Sequence, residues 1–422
     1  MEYKLYEYDN YSIHVLNTDK FKSIIVALTL VNEFEKENLT KNALLRKLLT
    51  TSSASLKNQT EVTKKYYDLY GSSFSISNEL YNNAVLTIFD IEFLEDKYTE
   101  DGLCKDALDH YFDMIFNPNI IDGKFEEENF KLAKKSLSNY YDVQKENKSA
   151  YSINKAHELF DEKQLKYFPN GYKEDLEKLN EKNMAEYYHD LFKSGHANIF
   201  IIGNIENEEI IDIINNNVNN KLYKNDNIYS CNIFEKEEKV KEKSDREENN
   251  QSNLVTIYKI LNMTERERNV VLPIFNRIFG VGNNSKLFKN VREEKSLAYD
   301  IRSFAQREES LITVISGISK ESKDEVIKSI DEELTNIQKG KFTMNDIGDA
   351  KKYRSIILKG FDDDNYSIVG TKMGNVLFNN DDLEKRRKEV ETVSKDEIIN
   401  LANKLSLCII YMLEGDKDNG EN

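Results

Sequence analysis

Hydrophobic periodicity changes from two to 3.6 and back in the same order in each half of these 422 residues, and this repeated order constrains the fold more than any single motif. In the first half, residues 11–16 and 23–31 are rich in β-branched side chains and predict strands. A helix follows over about 41–50, with Ala43, Leu44, Leu45, Leu48 and Leu49 on its apolar face. Another spans 61–70 and ends at Gly71, a residue suited to a left-handed cap. Strands are expected at 72–80 and 83–93, long helices at 104–116 and 125–148, a helix at 184–193, a strand at 197–203 and a helix at 204–216. The second half repeats the order. It has a strand at 254–260, helices at 266–279 and 286–294, strands at 297–304 and 310–316, helices at 322–339, 346–358 and 395–404, and a strand at 407–412. The segment from Phe125 echoes that from Phe342, and the segment from Tyr67 echoes that from Val291. Strands joined by short connections, with long helices between them, predict an α+β fold. The expected organisation is one domain over 1–225, a charged linker or edge strand over 226–252, and a second domain over 253–422.

Composition narrows the function classes. A chain this long exceeds one ordinary core, and 39% apolar residues are enough for two. The net charge of −16 argues against nucleic acid as a partner, because phosphate contacts need a basic face. Cys104, Cys231 and Cys408 are too few and too scattered for a disulfide framework, which predicts a reducing compartment. The first residues lack a signal peptide's apolar core, and the apolar run at 24–31 is too short to span a bilayer, so no membrane segment and a cytoplasmic location are expected. Usage rich in Asn, Lys and Ile with 3 Pro and 0 Trp fits an AT-rich bacterial genome.

Familiar catalytic patterns are absent from the sequence. No two of His14, His110, His157, His189 and His196 stand three or four residues apart, so no helix face carries a histidine pair for a metal. There is no Gly-x-Ser-x-Gly elbow, and no cysteine has an identifiable histidine partner. Gly280-Val-Gly282 lacks the Gly-Lys-Ser/Thr of a phosphate loop and reads as a packing turn.

One stretch has a different character. After Gly280, Gly282 and Ser285, the apolar Leu287, Phe288 and Val291 recur at helical spacing, Arg292 closes the helix, and Ser296-Leu-Ala-Tyr299 leads out. This arrangement resembles the second-domain signature of the insulinase/pitrilysin-type zinc peptidases and their processing relatives. The resemblance implies two related domains, each a largely antiparallel sheet with packed helices, facing each other across a cleft. It also implies that Arg292 and Tyr299 clamp the substrate backbone beside a zinc ion. An Arg presents several fixed donors, and a Tyr hydroxyl can donate to a developing oxyanion.

In that family the zinc is held by His-x-x-Glu-His on the first long helix and by a glutamate on a later one. The aligned helix here places Ala43 and Lys47 at the histidine positions and Arg46 at the glutamate, with no His, Glu, Asp or Cys anywhere in 41–53. The later helix has no carboxylate from Asn129 until Asp142. The expectation is therefore no metal or other cofactor in this chain, and no catalysis by it alone. The resemblance implies a non-catalytic, substrate-binding subunit of a heterodimeric peptidase, whose related partner carries His-x-x-Glu-His and the zinc and whose substrate is an unstructured peptide. The alternative is a non-proteolytic structural scaffold of the same fold.

Overall fold

The computed structural model describes the chain apart from residues 82, 195, 206–208, 219, 224–232, 237–238, 249–250, 381 and 416–422, so Cys231 lies outside the described residues. Along the chain run β1 (Glu2–Glu7), β2 (Ser12–Asn17), β3 (Ser23–Glu33), α1 (Lys36–Thr51), α2 (Gln59–Asp68), β4 (Ser73–Tyr81), β5 (Ala84–Leu94) and α3 (Leu103–Phe116). A small hairpin, β6 (Ile120–Ile121) and β7 (Lys124–Phe125), leads to α4 (Glu127–Glu146), α5 (Lys148–His157), α6 (Lys163–Lys166), α7 (Lys173–Leu176), α8 (Glu181–Ser194), β8 (His196–Gly203) and α9 (Glu209–Val218). Then come β9 (Lys241–Glu247), β10 (Ser252–Ile260), α10 (Leu272–Phe279), β11 (Asp300–Gln306), β12 (Leu311–Ile318), α11 (Lys323–Gln338), α12 (Met344–Gly360), α13 (Asn365–Phe378), α14 (Leu383–Thr392), α15 (Lys395–Ala402) and β13 (Leu405–Gly415).

Two compact units result. The first comprises Met1–Val143, Phe168–Tyr229 and Asp364–Met373; the second comprises Gln144–Tyr167, Ser230–Asp363 and Gly374–Asn422. The first unit's sheet has the order β1-β2-β8-β3-β5-β4, and the second unit's has β11-β12-β10-β13-β9. Each contains one parallel pair, β2 with β8 and β9 with β13, and is otherwise antiparallel. Setting β1 aside, the strands of both sheets enter in the same sequence and occupy the same places, which is the α+β repeat expected from the periodicity. Phe125 and Phe342, the paired echoes, are both buried two residues before a long helix.

In the second unit both faces of the central strand are covered. Leu254, Tyr258 and Ile260 of β10 pack into the helical core with Phe275, Val291 and Ile330. Val255 and Ile257 face the other way, against Ala156, Phe160 and Leu165. Two-sided burial explains why β10 reads as a continuous apolar run and not as an alternation. The expected single helix over 125–148 breaks because Asn147 leaves helical geometry and caps α5 by accepting from the Ala150 N–H at 3.1 Å. That break turns α5 onto the second face of the sheet. Of the helix expected at 204–216, residues 206–208 lie outside the described residues and the helix seen is α9, Glu209–Val218. Strand β9, in the charge run, is mostly exposed and pairs at the sheet edge, where charge discourages further strand addition.

A buried histidine in α3 gives the first unit a pH dependence. His110 is buried, its Nε2 has no hydrogen-bond partner among the described residues, and the Tyr66 ring meets it edge-on at 5.2 Å. Burial, with Lys65 adding to it, lowers its pKa to about 4 from the usual 6.5. The unfolded chain therefore takes up a proton near pH 6.5 that the folded chain refuses until about pH 4, so this contribution is present above 6.5 and lost as pH falls. Asp90 has the opposite slope, since burial raises its carboxyl to about 6. Comparing wild type with His110→Phe cancels such background terms. Between pH 7 and 4.5 wild type should lose about 2–3 kcal/mol more stability than the variant, measured by denaturant melts at both pH values. Equal losses would show that His110 titrates normally.

Candidate functional site

The stretch from Gly280 to Tyr299 is built tightly. A Cβ at Gly280 would lie 2.3 Å from Ser303 Oγ and 2.7 Å from Ser303 Cβ, while the Ser303 N–H donates to the Gly280 carbonyl at 2.9 Å. Only glycine lets the loop approach β11 this closely. Gly282 has φ +78, and Arg277 Nη1 lies 2.3 Å from where its Cβ would be. Ser285 is buried and accepts weakly from the Phe288 N–H at 3.4 Å, opening the next helix. Gly280, Gly282 and Ser285 thus hold the loop in place.

From Phe288 to Glu294 the helix winds with π geometry; the Lys295 N–H reaches back to the Asn290 carbonyl at 3.2 Å. The wider turn still buries Leu287 and Val291. Ser296 then takes a left-handed φ of 52, and the Leu297 N–H closes the helix on the Val291 carbonyl at 3.0 Å. This is a six-to-one helix stop made without glycine, a local strain that packing must support. Ala298 turns into the core and Tyr299 turns out, 62% exposed, its N–H donating to the Gly317 carbonyl at 2.9 Å. The strand expected from 297 therefore starts at Asp300, because the stop takes up the intervening residues. Lys295 is tied to α11, its Nζ 2.8 Å from Glu332 and 3.0 Å from Ser329.

Arg292 and Tyr299 line one hollow of about 340 Å³, together with Ser296, Leu297, Ala298, Ser319 and Ser322. The Arg292 guanidinium carbon sits 4.8 Å from the centre of the Phe288 ring, stacked but exposed. Neither side chain is needed for core packing, and both present donors to the same space.

In the first unit, α1 presents a different surface. Ala43 is 1% exposed in the core. Arg46 donates to Asn170 Oδ1 at 2.6 Å, and Asn170 in turn donates to Tyr140 Oη at 3.0 Å. Tyr141 Oη donates to the Asn170 carbonyl at 2.6 Å, which completes a network free of carboxylates. Burial lowers the pKa of Arg46, with Tyr140 and Tyr141 opposing. Asp142, the first carboxylate on that face of the chain, is engaged by Lys173 at 2.6 Å. This network of Arg46, Asn170, Tyr140 and Tyr141 could not be read from the sequence, because Asn170 lies 124 residues from Arg46 and no periodic pattern joins them. A zinc ion does not fit these residues. Ala43 offers no donor atom, and two cationic side chains repel a dication. Among the described residues no group of three or more His, Cys, Asp or Glu is placed to hold a metal, and no helix is long and apolar enough to cross a membrane.

Two sheets of this repeated topology, with a helix that lacks metal-ligating side chains beside the first, define a two-unit α+β fold. Residues 178–353 match the family described as Peptidase M16 inactive domain. The chain is 23% identical over 416 residues to the probable inactive metalloprotease YmfF of Bacillus subtilis, covering 95% of each. It is 24% identical over 245 residues to the uncharacterized zinc protease YmxG of the same organism, covering 56% of this chain and 55% of that one. A conserved protein from Enterococcus faecalis V583 superposes with a TM-score of 0.90 at 26% identity, covering 97% of each chain. Over residues 178–353 the chain is thus similar to the M16, insulinase-type peptidase inactive domain, and over nearly its whole length to a probable inactive metalloprotease.

Proposed function

We propose that this protein is the substrate-binding, non-catalytic subunit of a heterodimeric zinc peptidase. It supplies Arg292 and Tyr299 to a site whose zinc and general base belong to a related partner bearing His-x-x-Glu-His. The observation that carries this reading is the shared hollow, in which an exposed arginine and an exposed tyrosine stand together with no role in the core. Retaining both beside a strained helix stop serves ligand contact better than folding. The zinc-free α1 of the first unit supports the division of labour, and the likeness to both a probable inactive metalloprotease and a zinc protease fits a family in which both kinds of chain exist. In the assembled site, Arg292 binds carbonyls of an extended peptide and Tyr299 donates to the oxyanion as the amide is attacked. The exposure of both groups in an open hollow favours an unstructured peptide.

Co-expression with a zinc-bearing relative tests the reading. Purified alone, this chain should hold no stoichiometric zinc by elemental analysis and cleave no peptide. The mixed dimer should hydrolyse unstructured peptides and lose that activity on chelation. A zinc-bearing relative equally active by itself would sink the proposal.

A further inference from the structure

The hollow shared by Arg292 and Tyr299 carries a charge that a peptide backbone, being neutral, does not answer. No ion pair or side-chain hydrogen bond engages Arg292 among the described residues. Its guanidinium carbon lies over the Phe288 ring at 4.8 Å, a contact that uses none of its N–H donors. The cations next to lining residues in sequence are already held. Lys295 Nζ is 2.8 Å from Glu332, Lys320 Nζ is 2.6 Å from Glu414, and Lys323 Nζ is 2.5 Å from Glu242. No residue lining the hollow is acidic; Glu293, Glu294 and Glu321 adjoin lining residues in sequence without lining it. Arg292 is thus a cation facing open space that no carboxylate of the described residues takes up.

Two serines of the same lining add neutral donors. Ser319 Oγ and Ser322 Oγ stand 2.7 Å apart, so one hydroxyl donates to the other and one O–H remains for a ligand. Ser322 occupies the N-cap of α11, where a serine side chain commonly accepts from a first-turn amide, yet it makes no such bond. The pair is therefore not committed to closing its own helix. The hollow, about 340 Å³, has room for a side chain beside the backbone that bears it.

We infer that this hollow selects peptides by a carboxylate, carried on a glutamate or aspartate side chain beside the segment that Tyr299 contacts. The selectivity rests on the reading of the hollow as a peptide site and adds to it the class of residue accepted there. An ionised carboxylate only accepts hydrogen bonds, and a guanidinium meets its two oxygens with parallel N–H donors. The spare serine hydroxyl serves a remaining lone pair. A glutamine of the same shape brings an NH₂ group for which the lining offers no carboxylate, and a lysine is repelled by Arg292. The net charge of −16 opposes acidic peptides at long range, so a preference for one has to come from contact inside the hollow.

The test is fluorescence anisotropy of the full chain with labelled, unstructured peptides of one sequence, amidated at the C-terminus and carrying a central Glu or Gln. At about 0.15 M salt the Glu peptide should bind about tenfold more tightly, as befits one charge-assisted hydrogen-bonded pair. Arg292→Gln should bring the ratio of the two affinities to about one, because the paired donors are gone. Ser322→Ala should reduce that ratio about threefold and leave the melting temperature unchanged, since the hydroxyl caps nothing. Equal affinity for the two peptides, including no measurable binding of either, would overturn the selectivity. So would a preference that Arg292→Gln leaves intact. A Gln peptide with a free C-terminus that binds as tightly as the amidated Glu peptide would overturn the side-chain assignment and put the chain end in its place. None of these measurements uses the zinc-bearing partner, so a mixed dimer that hydrolyses nothing counts against the peptidase reading alone.

Discussion

Glu162→Ala should destabilise the second unit by about 3 kcal/mol, the low end of the 3–5 kcal/mol range for breaking a buried ion pair. Lys259 is the one charged residue of β10, next to its end, with its side chain 2% exposed, and its Nζ lies 2.6 Å from Glu162 Oε1. The ammonium also sits over the Phe234 ring at 4.5 Å and near the Phe160 ring at 5.6 Å. Glu162 is one-quarter exposed, so part of its loss can be relieved by water, which places the expected cost at the lower end. Removing the carboxylate takes the counter-charge of this ion pair away from a buried ammonium that lies against two aromatic rings. Replacing both partners, as Lys259→Met with Glu162→Leu, removes that penalty and should recover most of the stability, within about 1 kcal/mol of wild type. Denaturant melts of the full chain, with the second unit's transition followed separately, give both numbers. A double variant as unstable as Glu162→Ala would mean that the pair is incidental and the side-chain shapes decide. This interaction, with the packing of Ala156, Phe160 and Leu165, fastens the segment after α4 to the second sheet.

Tyr299→Phe should lower turnover of the mixed dimer by about a hundredfold, the scale seen when a single oxyanion donor is removed. The change deletes one hydroxyl from a side chain that is 62% exposed, and the backbone bond to Gly317 is unaffected. The melting temperature of this chain should therefore stay the same. Arg292→Ala should weaken peptide binding as well, because Arg292 lines the same hollow and, among the described residues, contributes a stacking contact with Phe288 to its own unit. Comparing turnover with thermal stability separates chemistry from folding. Unchanged turnover in both variants, or a loss matched by a lower melting temperature, would return the two residues to an ordinary surface role.

Several features of the fold were legible because they are encoded locally. The apolar spacing of Ala43, Leu44 and Leu48 placed α1, and Gly71 marked the end after α2, where it takes φ +80. The repeat was visible as an order of periodicities, since each strand or helix carries its own pattern. The lack of metal-ligating residue types on α1 was equally plain, because chemistry of this kind depends on residue identity before position. Helices α13 and α14 were not anticipated. Asn365–Phe378 has a weak apolar stripe, and Leu383–Thr392 is mostly charged, so their helicity rests on caps and neighbours more than on periodicity.

By itself, the sequence determined the α+β repeat, the helix that cannot hold zinc, and the residue types gathered between Gly280 and Tyr299. Tertiary structure decided where those side chains point. Ser296 adopts a left-handed turn that no composition rule assigns to serine, and this turn alone sends Ala298 inward and Tyr299 outward. Asn147 breaks a helix that periodicity would continue, because α5 gains more by covering the second face of β10. Arg46 and Asn170 are brought together from positions 124 residues apart. The physical reason is common to all three cases. Local patterns report which face of an element is apolar, whereas the direction of a polar side chain depends on partners that are distant in sequence and become neighbours only on folding.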